Sequence, residues 1–264
     1  EWGLDVTFET VEPEAEEDDF EVDEGIKTDI VLWDLFEIGH HRLLCWDSTN
    51  IDDVNKLMNG EKADFWFCDP PYNLWFEYNS YDDNKTDEEY EQFSKDWFYN
   101  LEMYTDRQAI TLWTKNIKIM ANLWEPTWVW CWVKKNWITS CRIAKLQQWE
   151  PIFFFWDYTK YKRTTDLFEI NREYQEDVWK NHTCPKQIKL IADILRNYSS
   201  KSVLDLFGWS WTTMVACHQL NRKCYMSELD PKYVQTIIHR MIKLDSTLEI
   251  KRNWQPYLIP EISG

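Results

Sequence analysis

Val203-Leu204-Asp205-Leu206-Phe207-Gly208-Trp209-Ser210-Trp211-Thr212-Thr213 reads as a buried strand running into a tight loop. Met214 to Asn221 reads as the helix that follows. Downstream, Cys224-Tyr225-Met226-Ser227 leads into Glu228, a carboxylate at the end of a second strand. This order suits a nucleoside. The turn admits the ligand, the helix N-terminus faces it, and the acid takes ribose hydroxyls.

Far upstream, the apolar run Phe65-Trp66-Phe67-Cys68 ends in Asp69-Pro70-Pro71-Tyr72. Two prolines fix φ and stop a sheet ladder, so the turn is stiff. Asp69 can accept a hydrogen bond from an N–H, and Tyr72 offers a flat face for stacking. The Pro70 carbonyl is free to accept a second bond. Together these groups could hold a planar ring with an exocyclic amino group. A rigid turn with a solvated Asp is the other reading of the same four residues.

The two motifs together resemble the amino-methyltransferases of DNA that use S-adenosylmethionine. With Asp-Pro-Pro-Tyr first and the cofactor loop last, the permuted order is similar to the beta group of N6-adenine methyltransferases. His182-Thr183-Cys184-Pro185-Lys186-Gln187, ahead of a helix, resembles the family's His-Pro-x-x-Lys-Pro segment. His41-Arg42-Leu43-Leu44-Cys45-Trp46-Asp47-Ser48-Thr49 resembles its lead-in to the catalytic strand. The resemblance spans about residues 30–255. It implies an α/β, Rossmann-like fold, with a mostly parallel sheet and helices on both faces.

The resemblance also implies roles. The target base leaves the duplex. Tyr72 stacks on it, Asp69 and the Pro70 carbonyl accept from its amino group, and Pro71 completes the loop. Asp205, Phe207, Gly208, Ser210 and Thr212 surround the methionine end of the cofactor. Glu228 takes the ribose, Asp47 lies near the adenine, and His182 and Lys186 flank the pocket. No metal is required. Asp rather than Ser before Pro-Pro-Tyr leans towards adenine N6, in the manner of restriction-modification enzymes. An N4-cytosine enzyme would share the fold, and a catalytically inactive binding or scaffold protein is the rival from another class. RNA and protein methyltransferases more often carry Asn at that position.

The family's cofactor loop reads close to Phe-x-Gly-Ser-Gly-Thr-Thr. Here Trp209 and Trp211 stand where glycines are expected, as do Trp46 before Asp47 and Trp33 before Asp34. The chain has 18 Trp and 6 Gly in 264 residues, whereas glycine is ordinarily about 7% of a protein. The counts fit a methyltransferase whose glycine positions carry tryptophan, by engineering or by error in the recorded sequence. A natural aromatic-rich variant is the alternative. Two indoles in this loop are expected to obstruct the cofactor.

The net charge of −17 is uneven. Residues 1–37 hold 15 Asp/Glu and only Lys27, and the other 227 residues carry −3. The leader, with Glu14-Ala15-Glu16-Glu17-Asp18-Asp19, is read as a solvated acidic linker, and less readily as a DNA mimic. Residues 38–264 are read as the catalytic domain. The chain begins at Glu1 without methionine, so a preceding ParB-like domain is expected. A homodimer is compatible with the resemblance. The seven cysteines form no C-x-x-C pair and are read as reduced thiols of an intracellular, cytoplasmic protein. No apolar run approaches the ~20 residues of a membrane span.

Hydrophobic spacing outlines an alternating body. Strands are expected at 64–68, 108–113, 129–133, 152–156, from 203 and at 224–228. Helices are expected from Thr86, over 116–123, 187–198 and 214–221, and from Pro231 to about Leu244. Only a short recognition insertion fits near residues 157–181. Two basic clusters are candidate phosphate contacts: Lys134, Lys135, Arg142 and Lys145, and Lys160, Lys162 and Arg163 beside Tyr161.

Overall fold

The computed structural model describes residues 13–20, 25–74, 80–135, 148–155, 166–171, 186–199 and 201–258. Eleven strands form one sheet: β1 (Leu35–Ile38), β2 (His41–Cys45), β3 (Phe65–Cys68), β4 (Gln108–Thr111), β5 (Trp128–Val133), β6 (Trp149–Phe155), β7 (Leu167–Glu169), β8 (Ser202–Asp205), β9 (Lys223–Glu228), β10 (Ile250–Arg252) and β11 (Gln255–Pro256). Their spatial order is β11-β10-β1-β2-β9-β8-β3-β4-β6-β5-β7.

The centre, β2-β9-β8-β3-β4, is parallel, as expected. The margins are largely antiparallel, because β1 and β2 form a hairpin and β6 runs against both β4 and β5. Central strands are buried on both faces. Phe65 and Phe67 join one core and Trp66 and Cys68 the other, the alternation of a pleated strand.

Helices α1 (Ile51–Met58), α2 (Asp87–Glu102) and α3 (Ile117–Leu123) cover one face. Helices α4 (Ile188–Tyr198), α5 (Thr212–Gln219) and α6 (Pro231–Leu244) cover the other. Their ends are written locally. Thr86 and Glu89 form a reciprocal capping box on α2. Asp230 caps α6, with Pro231 in its first turn. At the β8–β3 junction the chain leaves in opposite directions, to β9 through α5 and to β4 through α2. Ligands of open α/β sheets bind in such a crevice.

The described part of the leader is not a solvated linker. Glu17 accepts from the backbone N–H groups of Ile188 and Lys189 at 3.0 and 2.9 Å, capping α4. Asp18 takes the Arg240 guanidinium through two bonds of 2.6 Å. Arg196 donates to the Pro13 carbonyl, and Phe20 packs edge-on against Trp211. Ala15 and Ile30 are buried in the core, and β1 opens at Leu35, inside the expected leader.

Among the described residues, every non-glycine residue at positive φ is Asn or Trp. Asn59, Asn73, Asn221 and Asn253 tolerate this conformation through a short polar side chain. Trp33 (φ 79°), Trp211 (φ 52°) and Trp254 (φ 67°) do not share that excuse. Asn253-Trp254 joins β10 to β11 with both residues at positive φ, a backbone that favours Asn-Gly. Trp33 and Trp211 therefore sit on glycine-like backbone, as the sequence pattern anticipates; Trp46 and Trp209 do not.

Candidate active site

The loop after β3 is held from all sides. Tyr90 Oη donates to the Pro71 carbonyl at 2.9 Å, Asn116 Nδ2 to the Tyr72 carbonyl at 2.8 Å, and Lys115 Nζ to the Asn73 carbonyl at 3.1 Å. Both oxygens of Asp83 receive backbone N–H groups, from Asn73 and Leu74. The Pro70 carbonyl accepts nothing from the described residues, so the one acceptor left open is the one beside Asp69.

Asp69 Oδ1 has three donors: Thr111 Oγ1 at 2.5 Å, the Tyr72 hydroxyl at 2.6 Å and Lys186 Nζ at 3.0 Å. No donor among the described residues reaches Oδ2. Burial, and then the charges of Asp69 and Glu150, hold the Tyr72 hydroxyl well above its usual pKa, so it stays a donor.

Asp69, Pro70, Pro71 and Tyr72 line one end of a cavity of about 890 Å³. Asp47, Phe207, Trp209, Glu228 and Asp230 also line it, as do Trp46 and Trp113. Glu228 is 6% exposed, and burial pushes its carboxyl up to about 8, with Asp230 and Asp205 adding repulsion. It accepts from the Asp230 N–H at 2.8 Å. Asp205 lies fully buried beneath the loop, pushed by burial to about 7.

A family model described as DNA methylase, of the N6/N4 methyltransferase kind, matches residues 63–239. The chain belongs to this family of DNA methylases. Such enzymes take their methyl group from S-adenosylmethionine, and their substrate is DNA. The crystal structure of the M1.HpyAVI–SAM complex is similar in fold, with a TM-score of 0.57 and 20% identity, covering 75% of this chain and 98% of that one. PvuII DNA methyltransferase, cytosine-N4-specific, has a TM-score of 0.56 and 14% identity, covering 78% and 91%. TTHA0409, a DNA modification methylase of Thermus thermophilus complexed with S-adenosyl-L-methionine, has a TM-score of 0.54 and 16% identity, covering 77% and 93%. No curated protein matches the chain.

The methylase cavity fits a nucleoside-bearing cofactor. A buried carboxylate at a strand end, Glu228, opens onto it, and its volume lies within the range of pockets that enclose such ligands. Asp47 both lines the cavity and closes a turn, its Oδ1 accepting from the backbone N–H and hydroxyl of Thr49. Trp209 narrows the space. Trp211 does not: it points into the core, against Phe20 and Tyr233.

Several expected cofactor contacts stand away from the lining. Gly208 is there for packing, since a Cβ would come within 2.8 Å of the Met226 side chain and 3.1 Å of the Ser227 carbonyl. Thr212 is buried and donates to the Lys186 carbonyl at 2.9 Å. Ser210 heads the turn before α5. Lys186 joins the Asp69 group rather than flanking the cofactor.

Among the expected phosphate contacts, Lys134 is corrected outright: it is 1% exposed and ion-paired with Glu150. A buried ammonium cannot reach a DNA backbone. Lys135 is exposed and paired with Glu169. His182, Arg142, Lys145, Lys160, Lys162 and Arg163 lie outside the described residues, as does most of the expected recognition insertion. Among the described residues no cluster suits a metal ion, and no helix is long and apolar enough to cross a membrane. Thr111, Asn116 and Glu150 escaped the sequence reading. Each follows an apolar or aromatic run, and nothing local marks it as part of the site.

Proposed function

We propose that the protein methylates the N6 amino group of adenine in DNA, with the base turned out of the duplex. The observation that carries this is Asp69. One of its oxygens is fixed by three donors, and the other faces a cavity beside the open Pro70 carbonyl. Two fixed acceptors a short distance apart match the two hydrogens of an exocyclic amine. By accepting them, Asp69 and Pro70 orient the nitrogen lone pair and exclude water from it. S-adenosylmethionine supplies an electrophilic methyl group on a sulfonium. Tyr72 lines the same wall and offers the base a ring face. Positioning and electrostatics then supply most of the rate. Asp rather than Ser before Pro70 supports adenine over cytosine. The substrate places this work in the cytoplasm of a bacterial or phage-type system, with DNA as partner.

The test is incubation with DNA and labelled S-adenosylmethionine, followed by nucleoside analysis. N6-methyladenine is the expected product; N4-methylcytosine would overturn the base assignment. Asp69→Ala should abolish transfer while cofactor affinity, read by calorimetry, largely survives. Full activity in that variant would sink the mechanism. A second reading, a binding module without transfer, draws on Trp209 in the cavity wall. It predicts a folded protein that gives no heat with S-adenosylmethionine.

A further inference from the structure

Lys186 is buried in a row of charges that alternate in sign. Lys134 Nζ meets Glu150 Oε1, Glu150 Oε2 lies 3.4 Å from Lys186 Nζ, and Lys186 Nζ lies 3.0 Å from Asp69 Oδ1. The four side chains are 1–3% exposed. They come from four places in the fold: the end of β5, β6, the lead into α4, and the loop after β3. Equal numbers of each sign make such burial tolerable, whereas removing one member leaves its neighbour uncompensated. The Trp132 ring lies 4.6 Å from Lys134 Nζ and 5.8 Å from Lys186 Nζ. Lys186 also donates to the Tyr72 hydroxyl at 2.7 Å, and its own carbonyl is held by Thr212. Both its backbone and its ammonium are therefore fixed, between the cofactor loop and the amino-group acceptor.

We propose that Lys186 is a positioning residue for methyl transfer. It holds Asp69 Oδ1 and the Tyr72 hydroxyl so that Oδ2 faces the substrate amine as a carboxylate, and Glu150 is its anchor. This rests on the reading of Asp69 as the acceptor of that amine. A protonated Asp69 would present a donor to a donor, and a rotated one would break three hydrogen bonds. The titratable groups facing Asp69 are Lys186, Tyr72, Cys68 and Asp205, with Glu150 acting through Lys186. Removing the ammonium leaves carboxylates facing one another and opposes ionisation. Removing Glu150 leaves the ammonium without its counter-charge and favours ionisation.

The experiment compares Lys186→Met, Glu150→Gln and Asp69→Ala in the full chain, with circular dichroism as the folding control. Lys186→Met should lower kcat by about 100-fold, the scale of losing one fixed polar group at a reacting centre. Its S-adenosylmethionine Kd should stay within about threefold of the parent's, since the ammonium does not line the cavity. The acid limb of the rate profile should move to higher pH in Lys186→Met and to lower pH in Glu150→Gln. Opposite shifts are a signature that general damage to packing does not produce. The 13Cγ resonance of Asp69 in aspartate-labelled protein, assigned through Asp69→Asn, reads the same opposite movements without cofactor. That readout is decided by Glu150→Gln if Lys186→Met does not fold. A kcat within threefold of the parent for Lys186→Met would overturn the proposal. So would a loss confined to cofactor affinity, or 13C titrations moving in one direction. An inactive Asp69→Ala beside an active Lys186→Met would reject the positioning role and leave the Asp69 reading standing. An active Asp69→Ala would reject both.

Discussion

At the scale of single residues, tryptophan does two different things. Trp254 is 61% exposed and held at φ 67° in a two-residue hairpin, so its indole gains little from burial while its backbone is strained. A non-glycine residue in this region costs ~1–2 kcal/mol, part of which glycine returns through its greater freedom when unfolded. Trp254→Gly should therefore stabilise the protein by about 0.5–1 kcal/mol in denaturant titrations. An unchanged or lower midpoint would show that the turn is relaxed around the indole. Trp209 acts on the ligand instead. Trp209→Gly should tighten S-adenosylmethionine binding in calorimetry, because it enlarges the cavity wall. Trp211→Gly should not, because that ring lies in the core and its loss leaves a void there. Equal gains from both variants would contradict the separate placements of the two rings.

At the scale of elements, the two acids ending β8 and β9 set a pH dependence. Asp205 rises from 3.8 to about 7 and Glu228 from 4.5 to about 8, chiefly through burial. A carboxyl whose folded pKa is raised stabilises the fold fully below its unfolded value, and that contribution disappears as pH rises through the folded value. The melting temperature without cofactor should thus decline between about pH 4 and 8. Ribose hydroxyls donating to Glu228 favour its ionised form, so saturating S-adenosylmethionine should flatten the decline. Melting curves across pH, with and without cofactor, check both halves. A flat profile without cofactor would show that neither acid retains its proton. Much of this level was legible in the sequence. β3, β8 and β9 are continuous apolar runs ending in acids, and Thr86, Asp230 and Pro231 announce their helices. The antiparallel margins were not, since β1, β10 and β11 are two to four residues long and their partners lie far along the chain. Lys134 and Lys186 misled for a related reason. A lysine ordinarily reads as surface, and Glu150 lies 16 residues from one and 36 from the other.

At the scale of the whole molecule, the acidic leader reads as solvent-facing by composition, yet its carboxylates work as caps and ion-pair partners. Truncation after residue 12 should leave the melting temperature unchanged. Truncation after residue 20 removes the Glu17 cap, the Asp18–Arg240 pair and the Phe20 ring together. A helix cap alone is worth about 0.5–2 kcal/mol, so the second truncation should lower the melting temperature clearly. Equal stability of the two proteins would mean that residues 13–20 are ornamental. Only the shorter truncation is a fair test of whether charge in the leader weakens DNA binding across a salt series.

The same strap fixes where anything upstream must emerge. Pro13 is tied to Arg196 in the last turn of α4, while Glu17 sits at that helix's first turn, beside Lys186. Eleven helical residues separate the two ends, about 16 Å at 1.5 Å per residue. The polypeptide therefore enters the body on the blunt side of the sheet, remote from the mouth between the strand tips. A reporter or affinity handle fused at that end would trail behind the enzyme as it engages a duplex. One fused within the loops at the strand tips would stand in the doorway.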